Sequence, residues 1–245
     1  MITLRRAKER HHGRSRKQEV WRTFHPRDRA DALADGFGAL EALDEDHLPP
    51  GASIPRHRHR DGENVTYVRA GALVHEDSMG RSGVIHAGEF QCTAGGRGIR
   101  HTERNASQAE SSHVFQIWFH PSEVGLEPGQ AQKRFSAAER KGRLCVVASP
   151  DARSGSLGIH QDALVYSALL DPGQHVAHEI SPGRRVWLHL VQGKATLDDI
   201  TLSTGDGAGV ATERAVSLTA CEETEILLVD LGRPPPPAGR DDGTG

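Results

Sequence analysis

Two segments decide how this chain is read: Gly51-Ala-Ser-Ile-Pro-Arg-His57-Arg-His59-Arg-Asp-Gly-Glu63-Asn-Val-Thr-Tyr-Val68 and Thr93-Ala-Gly-Gly-Arg-Gly-Ile-Arg-His101-Thr-Glu103. Each sets two metal-ligating side chains at i and i+2. On a β-strand that spacing sends both to the same face. Two neighbouring strands then offer His57, His59, His101 and Glu103 to one point. Three neutral imidazoles and a carboxylate suit Fe(II), and Zn, Ni, Cu or Mn as well. The plainer alternative is that Arg56-His-Arg-His-Arg60 is a basic surface loop; the second pair, His101-x-Glu103, weighs against it.

Outward from these segments the chain reads as all-β. Gly (27) and Pro (13) are frequent, and short β-rich runs alternate with turn clusters about every ten residues. The expected strands include Ile54–His59, Asn64–Arg69, Ala72–Glu76 and Phe90–Thr93, with Ser112–Phe119 apolar on both faces, as between two layers. After a polar stretch from Gly125 to Phe135, read as a linker, strand signals resume at Arg143–Ala148. They continue through Ala163–Leu170, Arg185–Val191, Lys194–Leu197, Ser217–Thr219 and Ile226–Leu231. Short helices are expected only at Pro26–Ala34 and Ser136–Arg140. Pro50-Gly51…Val68…Gly71 and Pro172-Gly173…Leu190…Gly193 share one rhythm, an internal repeat of a β-barrel unit.

The resulting division is a basic arm at 1–35, a barrel with the candidate metal site at 36–135, a second barrel without metal at 136–231, and a Pro/Gly-rich tail at 232–245. Residues 1–30 carry ten Lys/Arg against three acids. This reads first as a solvated arm and second as a lid or edge strand anchored by Trp21 and Phe24. Net charge −3 gives no reason to expect nucleic acid. Three scattered cysteines without a CxxC pair point to a reducing, cytoplasmic compartment. No apolar run is long enough to span a bilayer. In the second barrel His175-Val-Ala-His178 splits its imidazoles across opposite strand faces.

Gly51, five residues, His57-x-His59, three residues, Glu63 resembles the first motif of the cupins, which are six-stranded jelly-roll barrels holding a metal. The second motif departs: His86-Ala-Gly88-Glu-Phe-Gln91 lacks both its Pro and its ligand His. That departure is the rule in the pirin branch, where a later His-x-Glu, here His101-Thr-Glu103, supplies the ligands. Thr66-Tyr67-Val68, Asp77-Ser-Met-Gly80, Thr93-Ala-Gly95, Gln116-Ile-Trp118, Lys133-Arg-Phe135 and Gly205-Asp-Gly-Ala-Gly209 also look like pirin signatures.

The resemblance implies two tandem cupin jelly-roll barrels (a bicupin) with few short helices. It implies a metal-dependent dioxygenase, an oxidoreductase like the pirin-type quercetin 2,3-dioxygenases, that uses O2 to cleave the ring of quercetin or a related flavonol. One divalent ion, Fe(II) first, would be held by His57, His59, His101 and Glu103, with Glu103 as the base for the flavonol 3-hydroxyl. Glu63 is expected to orient a ligand imidazole, and Gln91, at the vacated His position, to line the cavity, with ordinary packing as the competing reading for Gln91. The alternative is a non-enzymatic iron-binding regulator acting through a protein partner. A monomer is expected, since fused barrels cover each other's apolar faces.

Overall fold

Among the described residues, alternating apolar positions cut by glycine turns produce twenty-two short strands, one α-helical turn and two 3-10 turns, at Ala7–Glu9 and Arg153–Gly155. The computed structural model describes residues 1–26, 28 and 30–232, with the backbone alone for 56, 57 and 59; the tail expected from 233 on lies outside the described residues. Three strands come first: β1 (Ile2–Arg5), β2 (His11–Arg14) and β3 (Glu19–Arg22). Then follow β4 (Leu40–Leu48), β5 (Ser53–His59), β6 (Glu63–Ala70), β7 (Ala72–Asp77), β8 (Ser82–His86), β9 (Glu89–Ala94), β10 (Ile99–Asn105), β11 (Ser112–Phe119) and β12 (Gly129–Arg134). Helix α1 (Ala137–Arg140) is started by a capping box, in which Ser136 and Glu139 satisfy each other's backbone N–H. Beyond it lie β13 (Cys145–Ser149), β14 (Leu157–Gly158), β15 (Ala163–Leu170), β16 (His175–Glu179) and β17 (Arg185–Gln192). The last five are β18 (Lys194–Leu197), β19 (Ile200–Ser203), β20 (Gly207–Val210), β21 (Ala215–Ala220) and β22 (Thr224–Leu231).

The strands form two seven-stranded and two four-stranded sheets. The first half has the orders β12-β9-β6-β11-β4-β3-β2 and β5-β10-β7-β8. The second half has β1-β20-β17-β22-β15-β13-β14 and β16-β21-β18-β19. The central runs β9-β6-β11-β4 and β20-β17-β22-β15 correspond strand for strand, so the repeat read from the turns is two cupin barrels. The two large sheets pack face to face. Their contact is the largest apolar cluster, with Phe24, Phe37, Phe90, Phe115 and Phe119 meeting Val147, Val165, Trp187, Leu227 and Val229. Each barrel has its own smaller core, Leu48, Val68, Leu73, Ile85 and Val114 in the first and Leu188, Leu202, Leu218 and Ile226 among others in the second. Strands β11 and β22 are apolar on both faces because one face lines a barrel and the other the contact between barrels.

The structure corrects three expectations. The basic arm is part of both sheets: β1 pairs with β20 of the second barrel, and β3 pairs with β4 of the first. Part of its charge is spent internally, Arg5 on Asp31, Arg6 on Asp206 and Arg10 on Glu45. Of the readings of that segment, the edge strand is the one observed. The stretch read as a linker holds β12, which pairs with β9 from Gly129 to Arg134. No helix forms over the described residues of 26–34; i→i+3 turns such as Asp31 N–H to the Asp28 carbonyl take its place.

The run Gly205-Asp-Gly-Ala-Gly209 has a packing reason. A Cβ at Gly207 would lie 2.4 Å from the Trp187 ring, and one at Gly209 would lie 2.6 Å from the Phe37 ring. Bare backbone there admits the aromatic wedge of Phe24, Phe37 and Trp187 between the barrels. Asp206 meanwhile accepts the Ala7 N–H at 2.7 Å and Arg6 at 2.9 Å, which ties the N-terminal strand down. The cysteines are all free, and no helix among the described residues is long and apolar enough to cross a membrane.

Candidate metal centre

Strand β10 alternates cleanly: Ile99, His101 and Glu103 are buried, while Arg100 and Arg104 are exposed. His101 and Glu103 are each 3% exposed. In register, His57 of β5 lies opposite His101, and His59 lies opposite Ile99. The register then shifts, so Glu103 faces Ile54 and β5 spends one more residue than β10. An extra residue of this kind re-aims the side chains around it. On the other side of β10, His75 lies opposite Glu103. The strand pairing thus juxtaposes the two ligand segments; the side chains of His57 and His59 lie outside the described residues.

Both described candidates are held by partners behind them. His101 Nδ1 is 2.8 Å from His75 Nε2, and His75 Nδ1 is 3.3 Å from the Gln130 amide. With Nδ1 engaged, Nε2 is the His101 nitrogen that would meet a metal. Glu103 Oε2 accepts a hydrogen bond from Gln116 Nε2 at 3.0 Å. The orientation of Gln116 is dictated, because its Oε1 accepts from both Asn64 Nδ2 and Trp118 Nε1, each at 3.2 Å. Partners of this kind orient ligands and raise their basicity. Asn64, Thr66, Thr93, His101, Glu103 and Trp118 line the cavity in front of them. The donor chemistry fits a divalent metal: a buried carboxylate and a buried imidazole converge, each fixed from behind.

Burial raises the Glu103 carboxyl to about 7, with the Gln116 N–H pulling the other way. Asp44 and Asp46, on β4 opposite Gln116 and Val114, are also raised to about 7. For Asp44 burial is the main cause and Asp46 adds to it; for Asp46 burial leads, Gln18 opposes and Glu103 adds. A raised acid binds its proton more tightly when folded. Its stability is therefore present below about pH 4 and is lost as pH rises through about 7. His189, buried neutral and lowered by burial to about 3, acts oppositely up to about pH 6.5, so the test is a difference. Thermal or urea unfolding of the metal-free protein should show wild type losing ground to Glu103→Gln between about pH 5 and about pH 7.5, by up to ~3 kcal/mol. A difference that stays flat across this range refutes the assignment.

Two other expectations are corrected. Among the described residues Glu63 orients no ligand imidazole. It sits on the opposite face of β6 from Asn64 and Thr66, and its carboxylate accepts the backbone N–H groups of His160 at 2.8 Å and Gln161 at 2.9 Å. It is a clasp between the barrels. Gln91 is buried beside Thr66 in the sheet, but its amide is engaged with Gln132 and Thr93, and Thr93 is the residue of that strand that reaches the cavity. Reading by motif also missed His75, Asn64 and Gln116. The last was legible, since Gln116-Ile-Trp118 places Gln116 and Trp118 on one strand face.

Residues 5–119 match the family described as Pirin, and residues 146–231 match the Quercetinase C-terminal cupin domain. A protein of Escherichia coli K12 named quercetin 2,3-dioxygenase is 41% identical over 231 residues, 94% of this chain and 99% of that protein. The chain belongs to the pirin family. The crystal structure of YhhW from Escherichia coli superposes with a TM-score of 0.90 at 40% identity, covering 95% of this chain and 98% of that one. A second structure of that bacterial pirin, in complex with nickel(II), gives a TM-score of 0.88 at 40% identity over 95% of this chain and all of that chain, 100%. In this pirin the second barrel carries Val216 and Leu218 on the inward positions of β21, and His178 Nε2 is bonded to Asp230 at 2.6 Å.

Proposed function

We propose that this pirin is a metal-dependent dioxygenase that cleaves the ring of quercetin or a related flavonol with O2. His57, His59, His101 and Glu103 would hold one divalent ion, Fe(II) in the first instance, with Zn, Ni, Cu and Mn compatible with the same donors. The observation that carries this reading is the inward-facing pair His101 and Glu103, locked from behind by His75 and Gln116, on a strand whose register sets it against His57. The names of the relatives, including quercetin 2,3-dioxygenase, agree with it.

When bound, the metal supplies Lewis acidity that lowers the pKa of a coordinated hydroxyl. The chain supplies the rest. Glu103 takes the flavonol 3-hydroxyl proton; in the metal-free protein its affinity for a proton lies near neutrality, which suits a general base. Gln116 keeps the receiving carboxylate aimed, and Asn64 and Trp118 keep Gln116 aimed. Trp118 and Ile99 give the cavity an apolar edge for a ring. In the overall reaction both oxygen atoms enter the product and carbon monoxide leaves.

Oxygen uptake with quercetin by protein loaded anaerobically with Fe(II) tests the proposal. One O2 consumed and one carbon monoxide released per quercetin is the expected result. Full metal loading without uptake would transfer the site to another substrate or to the partner-binding regulator.

A further inference from the structure

The seven-stranded sheet of the first barrel carries a second group of ligating side chains, on the face turned away from Glu103 and Gln116. Glu45 and His47 stand at i and i+2 on β4, and His113 of β11 lies directly opposite His47. The ligating atoms of Glu45, His47 and His113 all lie within 4.8 Å of one another. Glu45 Oε1 accepts from His113 Nε2 at 2.9 Å, and Glu45 Oε2 accepts from Arg10 at 2.8 Å. His47 Nε2 points at the same Oε1 from 3.6 Å, too far for a hydrogen bond.

An ion-pair network hydrogen-bonds Glu45, Arg10 and His113, but it reaches His47 only through the 3.6 Å ion pair. Its Nε2 is shielded from solvent and has no hydrogen-bond partner, although the side chain as a whole is 41% exposed. A buried polar atom left unsatisfied costs free energy and calls for a water or an ion. A cation beside Oε1 would satisfy His47 and His113 together.

We propose that Glu45, His47 and His113 form a second site, for one divalent transition-metal ion of the zinc, nickel, cobalt or copper kind. Two imidazoles and a carboxylate select such borderline ions over magnesium or calcium. Three protein ligands leave a fourth position for water, supplied from the groove that Arg14, Gln18, Glu19, His47 and Ser111 line. Burial lowers the His113 pKa against the pull of Glu45, the direction that favours the neutral ring a metal needs. Burial also acts to raise Glu45, but His113, His47 and Arg10 outweigh it and hold the carboxyl well below its usual range. When Nε2 of His113 takes the metal, its one ring proton moves to Nδ1. The Arg69 terminal nitrogen, 3.4 Å from that atom, then turns aside. Arg10 on the second oxygen limits the affinity, so this site is weaker than the first.

Co(II) is the probe, because it absorbs in the visible and quenches nearby tryptophan. Trp21 packs edge-on against His47, with ring centroids 5.2 Å apart. Titrated with Co(II), the wild type is expected to bind two equivalents and His101→Ala/Glu103→Gln one, with quenching that Trp21→Phe removes. His47→Ala, a substitution at a half-exposed ring, should weaken this second equivalent by more than the ~10–100-fold typical of losing an outer partner. His113→Ala should do the same. The proposal fails if the double variant binds no Co(II), or if its binding survives both His47→Ala and His113→Ala. Failure of the first site alone is distinguishable: the wild type would then bind one equivalent, and His47→Ala would abolish it.

Discussion

His101→Ala is expected to lower quercetin-dependent oxygen uptake by at least ~10^3-fold, equivalent to about 4 kcal/mol of transition-state stabilisation. The argument starts from the strand. His101 is buried on β10 with Nδ1 held by His75 at 2.8 Å, so the ring is set for one task and has no solvent-facing alternative. Removing it takes one donor from the proposed four and leaves a space that water enters. A bound metal is worth several kcal/mol as a Lewis acid, and a displaced or lost ion forfeits that. Glu103→Gln should be comparably severe, because it removes both a charged donor and the base. Metal content measured beside uptake separates the two causes. His101→Ala should lose metal and activity together, and a variant that keeps both would end the dioxygenase proposal as located here.

Glu225→Ala is expected to give the largest loss of stability, ~3–5 kcal/mol, because it strands a buried cation. Glu225 of β22 accepts from Arg140 at 3.1 Å and from Arg69 at 3.0 Å, and it also accepts the Tyr67 hydroxyl proton. Arg140, only 6% exposed, adds bonds to the Tyr67 hydroxyl at 3.0 Å and to Ser167 at 3.2 Å. Burial, the Glu225 charge and its hydrogen bond push the Tyr67 hydroxyl well above its usual pKa, so it stays protonated and donates. Tyr67 and Arg69 belong to the first barrel, Arg140 to the connecting turn and Glu225 to the second barrel. Without Glu225, Arg140 keeps its desolvation cost and loses its counter-charge. Thermal unfolding should fall by roughly 6–20 °C, at 2–4 °C per kcal/mol for a chain of this size. Glu225→Gln, which keeps an acceptor oxygen, should cost less. A loss under ~1 kcal/mol for Glu225→Ala would mean that water reaches Arg140.

The sequence alone was enough for what depends on local periodicity. The bounds expected for Ala163–Leu170 and Lys194–Leu197 coincide with β15 and β18. The i, i+2 spacing of His101 and Glu103 puts both on one buried face, as the pleat requires. The repeat was visible too, because its Pro-Gly and Gly turns recur at matching offsets. The tertiary structure decided what depends on which face of a strand meets which neighbour. Glu63 stands four residues after His59, yet it faces the second barrel, because the turn at Asp61–Gly62 resets the alternation between β5 and β6. Asp44-Glu-Asp46 is a run of three acids in the middle of β4. Buried partners accommodate the charges, Arg10 and His113 taking Glu45 on one face and Gln18 taking Asp46 on the other. The basic arm looked solvated because its partners, Asp31, Asp206 and Glu45, are distant or hidden in other patterns, and β1 finds its strand partner some 200 residues away. Strand alternation is a nearest-neighbour property of the backbone, whereas the face a charged side chain occupies depends on turns and on residues far along the chain.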